Sequence, residues 1–84
     1  MDTETRYQIA KAHLVSPYHN PMQTPYSDDD EKHIYITFRV SELKITELRS
    51  AVKRYPFCKL VVKSKERPLF GLCEQYNVEL IIKK

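Results

Sequence analysis

Hydrophobic and polar positions alternate most clearly over residues 33–40, HIYITFRV. Ile34, Ile36, Phe38 and Val40 fall on one side of an extended segment there, and His33, Tyr35, Thr37 and Arg39 on the other. A period of two with one apolar side predicts a half-buried β-strand. The period then changes. Leu48, Ala51, Val52 and Tyr55 recur at helical spacing, Ser41 offers an N-cap, Val40 and Ile45 stand where a hydrophobic staple would, and Pro56 ends the helix. CKLVVKSK, residues 58–65, returns to period two, with Cys58, Leu60 and Val62 opposed to Lys59, Val61, Lys63 and Lys65. Residues 67–76, RPLFGLCEQY, predict a short second helix with Pro68 in its first turn, Leu69, Leu72, Cys73 and Tyr76 along one side, and Asn77 as its end cap. VELIIKK then reads as a third strand, Val78, Leu80 and Ile82 against Glu79, Ile81 and Lys83.

The predicted order is β-α-β-α-β. Short connections that each carry a helix predict parallel neighbouring strands joined by right-handed crossovers. Strands covered on both faces would read as continuous apolar runs, whereas all three here have one apolar and one mixed face. The expected fold class is therefore α/β (α+β): a small two-layer domain with a three- or four-stranded sheet, helices on one face and an open basic face.

The leading residues admit two readings. TRYQIAKAHLV, residues 5–15, suits a helix capped by Thr3 with Tyr7, Ala10, Lys11 and Leu14 on one side, or an additional strand paired with HIYITFRV. In the following SPYHNPMQTPYSDDDEK, Pro17, Pro21 and Pro25 predict irregular structure, and Asp28, Asp29, Asp30 and Glu31 form a solvated charge run. The echo of Ser16-Pro17-Tyr18 in Thr24-Pro25-Tyr26 marks either a binding arm or a loop whose tyrosines pack back on the domain.

Charge sharpens this division. The formal net charge is +3, yet residues 1–32 carry three basic against six acidic groups and residues 33–84 eleven basic against five acidic. The expected organisation is an acidic N-terminal segment with a Pro/Tyr-rich loop over 1–32, then a basic α/β domain over 33–84. A basic surface points to a polyanionic partner, and the acidic run Asp28 to Glu31 is a candidate modulator that competes for it.

Several chemistries are disfavoured. Gly71 is the single glycine, too few for a phosphate-cradling loop. No apolar run approaches the ~20 residues of a membrane span, so no membrane association is expected. Cys58 and Cys73 lie fifteen apart without a CxxC or a histidine at ligand spacing, which predicts small buried thiols in a reducing, cytoplasmic setting, with no metal and no cofactor. His13, His19 and His33 fall outside any nucleophile-base arrangement, so no catalytic residue is assigned and the protein is expected not to be an enzyme.

The open face supplies the candidate site. Arg39, Lys59, Lys63, Lys65 and Lys83 are predicted to project beside Tyr35 and Ile81, with Arg67 extending the patch. Cations neutralise phosphates and an exposed aromatic can stack a base, so RNA or another polyanion is the expected partner. The alternative is a protein target, with the chain acting as a small inhibitor or adaptor of the antitoxin or phage-encoded kind. Lysines are also ordinary protection for an edge strand, and self-association through a free edge is a further alternative.

Residues 69–82, LFGLCEQYNVELII, resemble the helix-to-strand passage of the L7Ae family of RNA-binding ribosomal proteins, over fourteen residues. That resemblance implies a helix leading into a parallel strand. The family's glycine-containing RNA-contacting segment has no counterpart, and no functional residue is carried over. The element order also resembles a trimmed ferredoxin-like or RNA-recognition domain, without its glycine-aromatic motif.

Overall fold

A computed structural model describes residues 1–67 and 74–84. The chain forms α1 (Thr3–Ala10), a π-helical extension (Lys11–Val15), β1 (Tyr26–Asp29), β2 (His33–Ser41), α2 (Ile45–Val52), β3 (Cys58–Glu66) and β4 (Gln75–Lys83). The strands make one four-stranded sheet in the order β1-β2-β4-β3. It is a two-layer α+β domain with its helices on one face.

Strand β2 alternates in burial as its sequence dictates, with Ile34, Ile36, Phe38 and Val40 inward. Val78, Leu80 and Ile82 of β4 join them, opposite Phe38, Ile36 and Ile34. Ile45, Leu48 and Val52 of α2 close the core from above. Ser41 does not cap α2. It ends β2, its Oγ accepts from the Leu43 N–H at 3.2 Å, and Lys44 precedes the first turn.

The leading residues form a helix. Asp2, not Thr3, caps it, its Oδ1 accepting from the Thr5 N–H at 2.8 Å. The extension closes with the Ser16 N–H donating to Lys11 O at 2.9 Å, one residue wider than an α-turn, and Ala10, Leu14 and Val15 are buried. Ala10, Leu14 and Val15 thus belong to the same core cluster as the buried residues of β2, α2 and β4.

The proline-rich stretch is more regular than predicted. Tyr26 to Asp29 pair antiparallel with Thr37 to Ile34, so the first two aspartates of the acidic run belong to a strand. His19 bridges Val40 farther along the same edge, and the Asn20 N–H donates to Arg39 O at 2.7 Å. Pro25 directly precedes β1, a place where its missing N–H costs no ladder bond.

The expectation of parallel neighbours is overturned, because every adjacent pair is antiparallel. The connection through α2 does join two strands that run the same way, β2 and β3, but β4 lies between them. Helix 67–76 fails at its end: Gln75, Tyr76 and Asn77 are already in β4, facing Glu66, Lys65 and Ser64 of β3. The remainder of that segment, 68–73, lies outside the described residues. The parallel strand implied by the L7Ae resemblance is absent for the same reason, since residues 75–83 pair antiparallel on both sides.

Candidate binding surfaces

The open face can be read in rows across the sheet. Asp28, Tyr35, Ile81 and Lys59 form one row and Tyr26, Thr37, Glu79 and Val61 the next. Arg39, Asn77 and Ser64 form a third, and His33 faces Lys83 at the far end. Tyr35, Arg39, Lys59, Lys63 and Lys83 therefore share this face, as expected.

Lys65 does not. The β3 to β4 register shifts between Val62 and Ser64, so Lys63 is the extra residue of a β-bulge. A one-residue slip sends every later side chain to the other face. Lys65 consequently lies opposite Tyr76, which pairs with buried Val40, and its ammonium sits 5.6 Å from the Tyr76 ring centroid. Arg67 follows the strand and is held by Glu74 at 3.0 Å. Glu74 also pairs with Lys65, and the hydrogen bond from Lys65 first, then the charge of Lys65 and the bond and charge of Arg67, hold its carboxyl below the usual range.

The charge of the open face is mixed rather than basic. Arg39 Nη2 is 3.4 Å from Glu66 Oε2, and its Nε donates to Asn77 Oδ1 at 3.4 Å. The Asn77 amide in turn donates to Ser64 Oγ and Glu66 Oε1 at 3.0 and 2.9 Å, so Asn77 ties three strands together instead of capping a helix. Lys63 Nζ is 3.7 Å from Glu79 Oε1. Tyr35 donates its hydroxyl to Asp30 Oδ2 at 2.7 Å. That bond and two from the backbone N–H groups of Lys32 and His33 lower the Asp30 carboxyl to about 2, and the same partner raises the Tyr35 phenol. Such exposed pairs add little stability, but they cancel the local field on which phosphate binding depends. The sequence pattern put Glu79 on this face but concealed Asp30 and Glu66, which come from the turn after β1 and from the far end of β3 beyond the bulge.

The other face holds a groove that the sequence reading did not foresee. It has a volume of about 660 Å³ and runs between α2 and β3, lined by Arg49, Val52, Lys53, Tyr55, Pro56, Cys58, Lys59, Leu60 and Val62. Its origin is a mismatch of length. An eight-residue helix spans ~12 Å and a nine-residue strand ~30 Å, so α2 cannot cover β3 from end to end. Leu60 and Val62 are left half-buried, whereas their partners Leu80 and Val78 are fully enclosed. The only sequence signal was the shortness of the helical pattern before Pro56.

Strand β3 is also a sheet edge. The Lys83 N–H donates to Phe57 O at 2.8 Å, which fixes the phase of the ladder. Alternation then turns the N–H and C=O groups of Lys59 and Val61 toward β4 and those of Leu60 and Val62 outward. Among the described residues, Arg49, Lys53 and Lys59 around the groove have no acidic partner within ion-pair distance. Cys58 lies in the groove as a free thiol, and burial pushes it up to about 11 against a weaker opposing effect of Arg6. It is held protonated at neutral pH, the opposite of what nucleophilic chemistry requires.

No cluster of metal-ligating side chains occurs among the described residues, and no helix among them is long and apolar enough to cross a membrane. Comparison with protein-family models, with curated proteins and with solved structures found no match to this chain.

Proposed function

We propose that this protein is a small non-enzymatic module that binds a larger protein, as an inhibitor or adaptor, through the β3 edge of its sheet. The carrying observation is the β3 edge itself, which lies beside a partly apolar groove flanked by Arg49 and Lys53; these two have no acidic partner among the described residues, whereas Arg39 and Lys63 of the open face are engaged by Glu66 and Glu79. An uncovered edge next to a partly apolar groove is a common mode of peptide and protein recognition. A cytoplasmic, reducing setting is part of this reading, in keeping with Cys58 as a free thiol.

A second reading keeps RNA as the partner. It is supported by the row of Tyr35, Ile81 and Lys59, which sets an aromatic, an apolar and a cationic side chain side by side. Titrating labelled single-stranded RNA into the protein separates the two. The protein-binding reading expects no complex tighter than about 100 μM at physiological salt, the weak end of non-specific binding. It also expects ligands selected from a peptide-display library to shift the NMR signals of β3. Micromolar RNA binding that falls steeply with salt and shifts Tyr35 and Ile81 would replace it with the RNA reading.

A further inference from the structure

We infer that the β3 edge takes up an acidic, extended segment of the partner as a fifth strand, with alternate apolar side chains seated in the groove. The inference rests on the protein-binding reading and names the chemistry of the partner. Three features of one strand converge on it. The outward N–H and C=O groups of Leu60 and Val62 offer ladder bonds, and the Leu60 and Val62 side chains line the groove on the helix side. Lys59 projects from the opposite face of the same edge, and Arg49 and Lys53 flank the groove on α2.

An incoming strand places alternate residues on opposite faces. Its helix-side residues would meet Val52, Leu60 and Val62, which favours valine, isoleucine or leucine. Its open-side residues would meet Lys59, with Lys63 beyond, which favours aspartate or glutamate. An acidic residue at the rim would meet Arg49 or Lys53.

Charge and shape argue against a second copy as the occupant. Pairing β3 with itself sets the strand bearing Lys59, Lys63 and Lys65 against an identical one. The other free edge, β1, has the complementary charge, but it is four residues long and its helix-side residues are Ser27 and Asp29. Docked on β3, it would bring a hydroxyl and a carboxylate to an apolar groove.

The test uses the full chain, labelled with nitrogen-15, and a synthetic nine-residue peptide, the length of β3, that alternates valine with aspartate or glutamate. Controls are the same pattern with lysine in place of the acids and a single-stranded RNA. The acidic peptide is expected to shift the amides of β3 and to slow hydrogen exchange at Leu60 and Val62. Lys53→Glu with Lys59→Glu, both exposed, should weaken it about five- to tenfold, the effect of losing one or two exposed ion pairs. Binding should also weaken between about 50 and 300 mM salt. Shifts confined to α2 with no exchange protection at Leu60 and Val62 would overturn strand addition and leave the protein-binding reading intact. Equal binding of the lysine peptide would overturn the acidic preference. RNA binding on the open face with no response to any peptide would overturn both, and a concentration-dependent dimer protecting the same two amides would give the edge to a second copy.

Discussion

Lys63 and Lys65, two positions apart on β3, lie on opposite faces of the sheet because the bulge at Lys63 advances the register by one. Lys63 reaches Glu79 on the open face, and Lys65 reaches Tyr76 and Glu74 toward the other. Their charge reversals are therefore different experiments. Lys63→Glu should shift NMR signals of Glu79 and Val61, Lys65→Glu those of Tyr76 and Glu74, and neither should move Tm appreciably, since both ammonium groups are exposed. A common set of perturbed residues would mean that the bulge is not formed in solution.

The turn between β1 and β2 should carry part of the acid limb of stability. The Asp30 carboxyl falls from an ordinary 3.8 to about 2 in the folded chain, first through the Tyr35 hydroxyl and then through the backbone of Lys32 and His33. A depressed folded pKa stabilises the fold above the unfolded value, and that contribution fades as pH falls from about 4 toward about 2. Asp30→Asn should therefore lower Tm most near neutrality, with the gap to the native chain closing toward the acid end of that window. A gap that stays constant across it would show that the carboxylate charge is not what the turn uses.

The N-terminal helix should be as necessary as the sheet. Leu14 is fully buried, and Leu14→Ala should cost about 2–5 kcal/mol in urea unfolding, the range for a buried leucine cut to alanine. Removal of residues 1–32 would take Ala10, Leu14, Val15 and β1 together, and the remainder should show no cooperative transition. A truncated chain that unfolds with the native midpoint would refute the shared core. Stronger nucleic-acid binding by such a truncation would for this reason say little about competition by the acidic run.

What the sequence disclosed and what it hid follow from the range of each interaction. HIYITFRV, the α2 pattern and the alternation of VELIIKK are local periodicities, and each forms the element it predicts. Strand order is not local. Nothing in the period of CKLVVKSK says that β4 will insert between it and β2, and this insertion makes β3 an edge and Leu60 only half-buried. Residues 26–29, YSDD, have no apolar face and were hidden for another reason: an edge strand held by backbone bonds leaves no hydrophobic pattern. The bulge at Lys63 was equally silent, because a residue such as lysine fits either face of an edge. Of the predicted site, Tyr35, Arg39, Lys59, Lys63 and Lys83 share the open face, whereas Lys65, beyond the bulge on β3, does not.

Cys58 offers a chemical probe of the groove. In a Cys73→Ser background it is the remaining thiol, and burial holds it near 11 instead of the ordinary 9.0. The thiolate is the reactive form, so alkylation at pH 8 should run about ten- to a hundredfold slower than for an unfolded control. Urea should restore the rate along with unfolding. Arg6, whose guanidinium lies 5.2 Å from the Phe57 ring centroid, opposes the effect of burial, so Arg6→Ala should slow the reaction further. An occupied groove adds apolar cover over the same sulfur, and the acidic nine-residue peptide should slow alkylation again in proportion to its saturation of β3. A Cys58 that reacts at the unfolded rate, with or without peptide, would mean that the groove is open to water, and the apolar half of the strand-addition site would be lost with it.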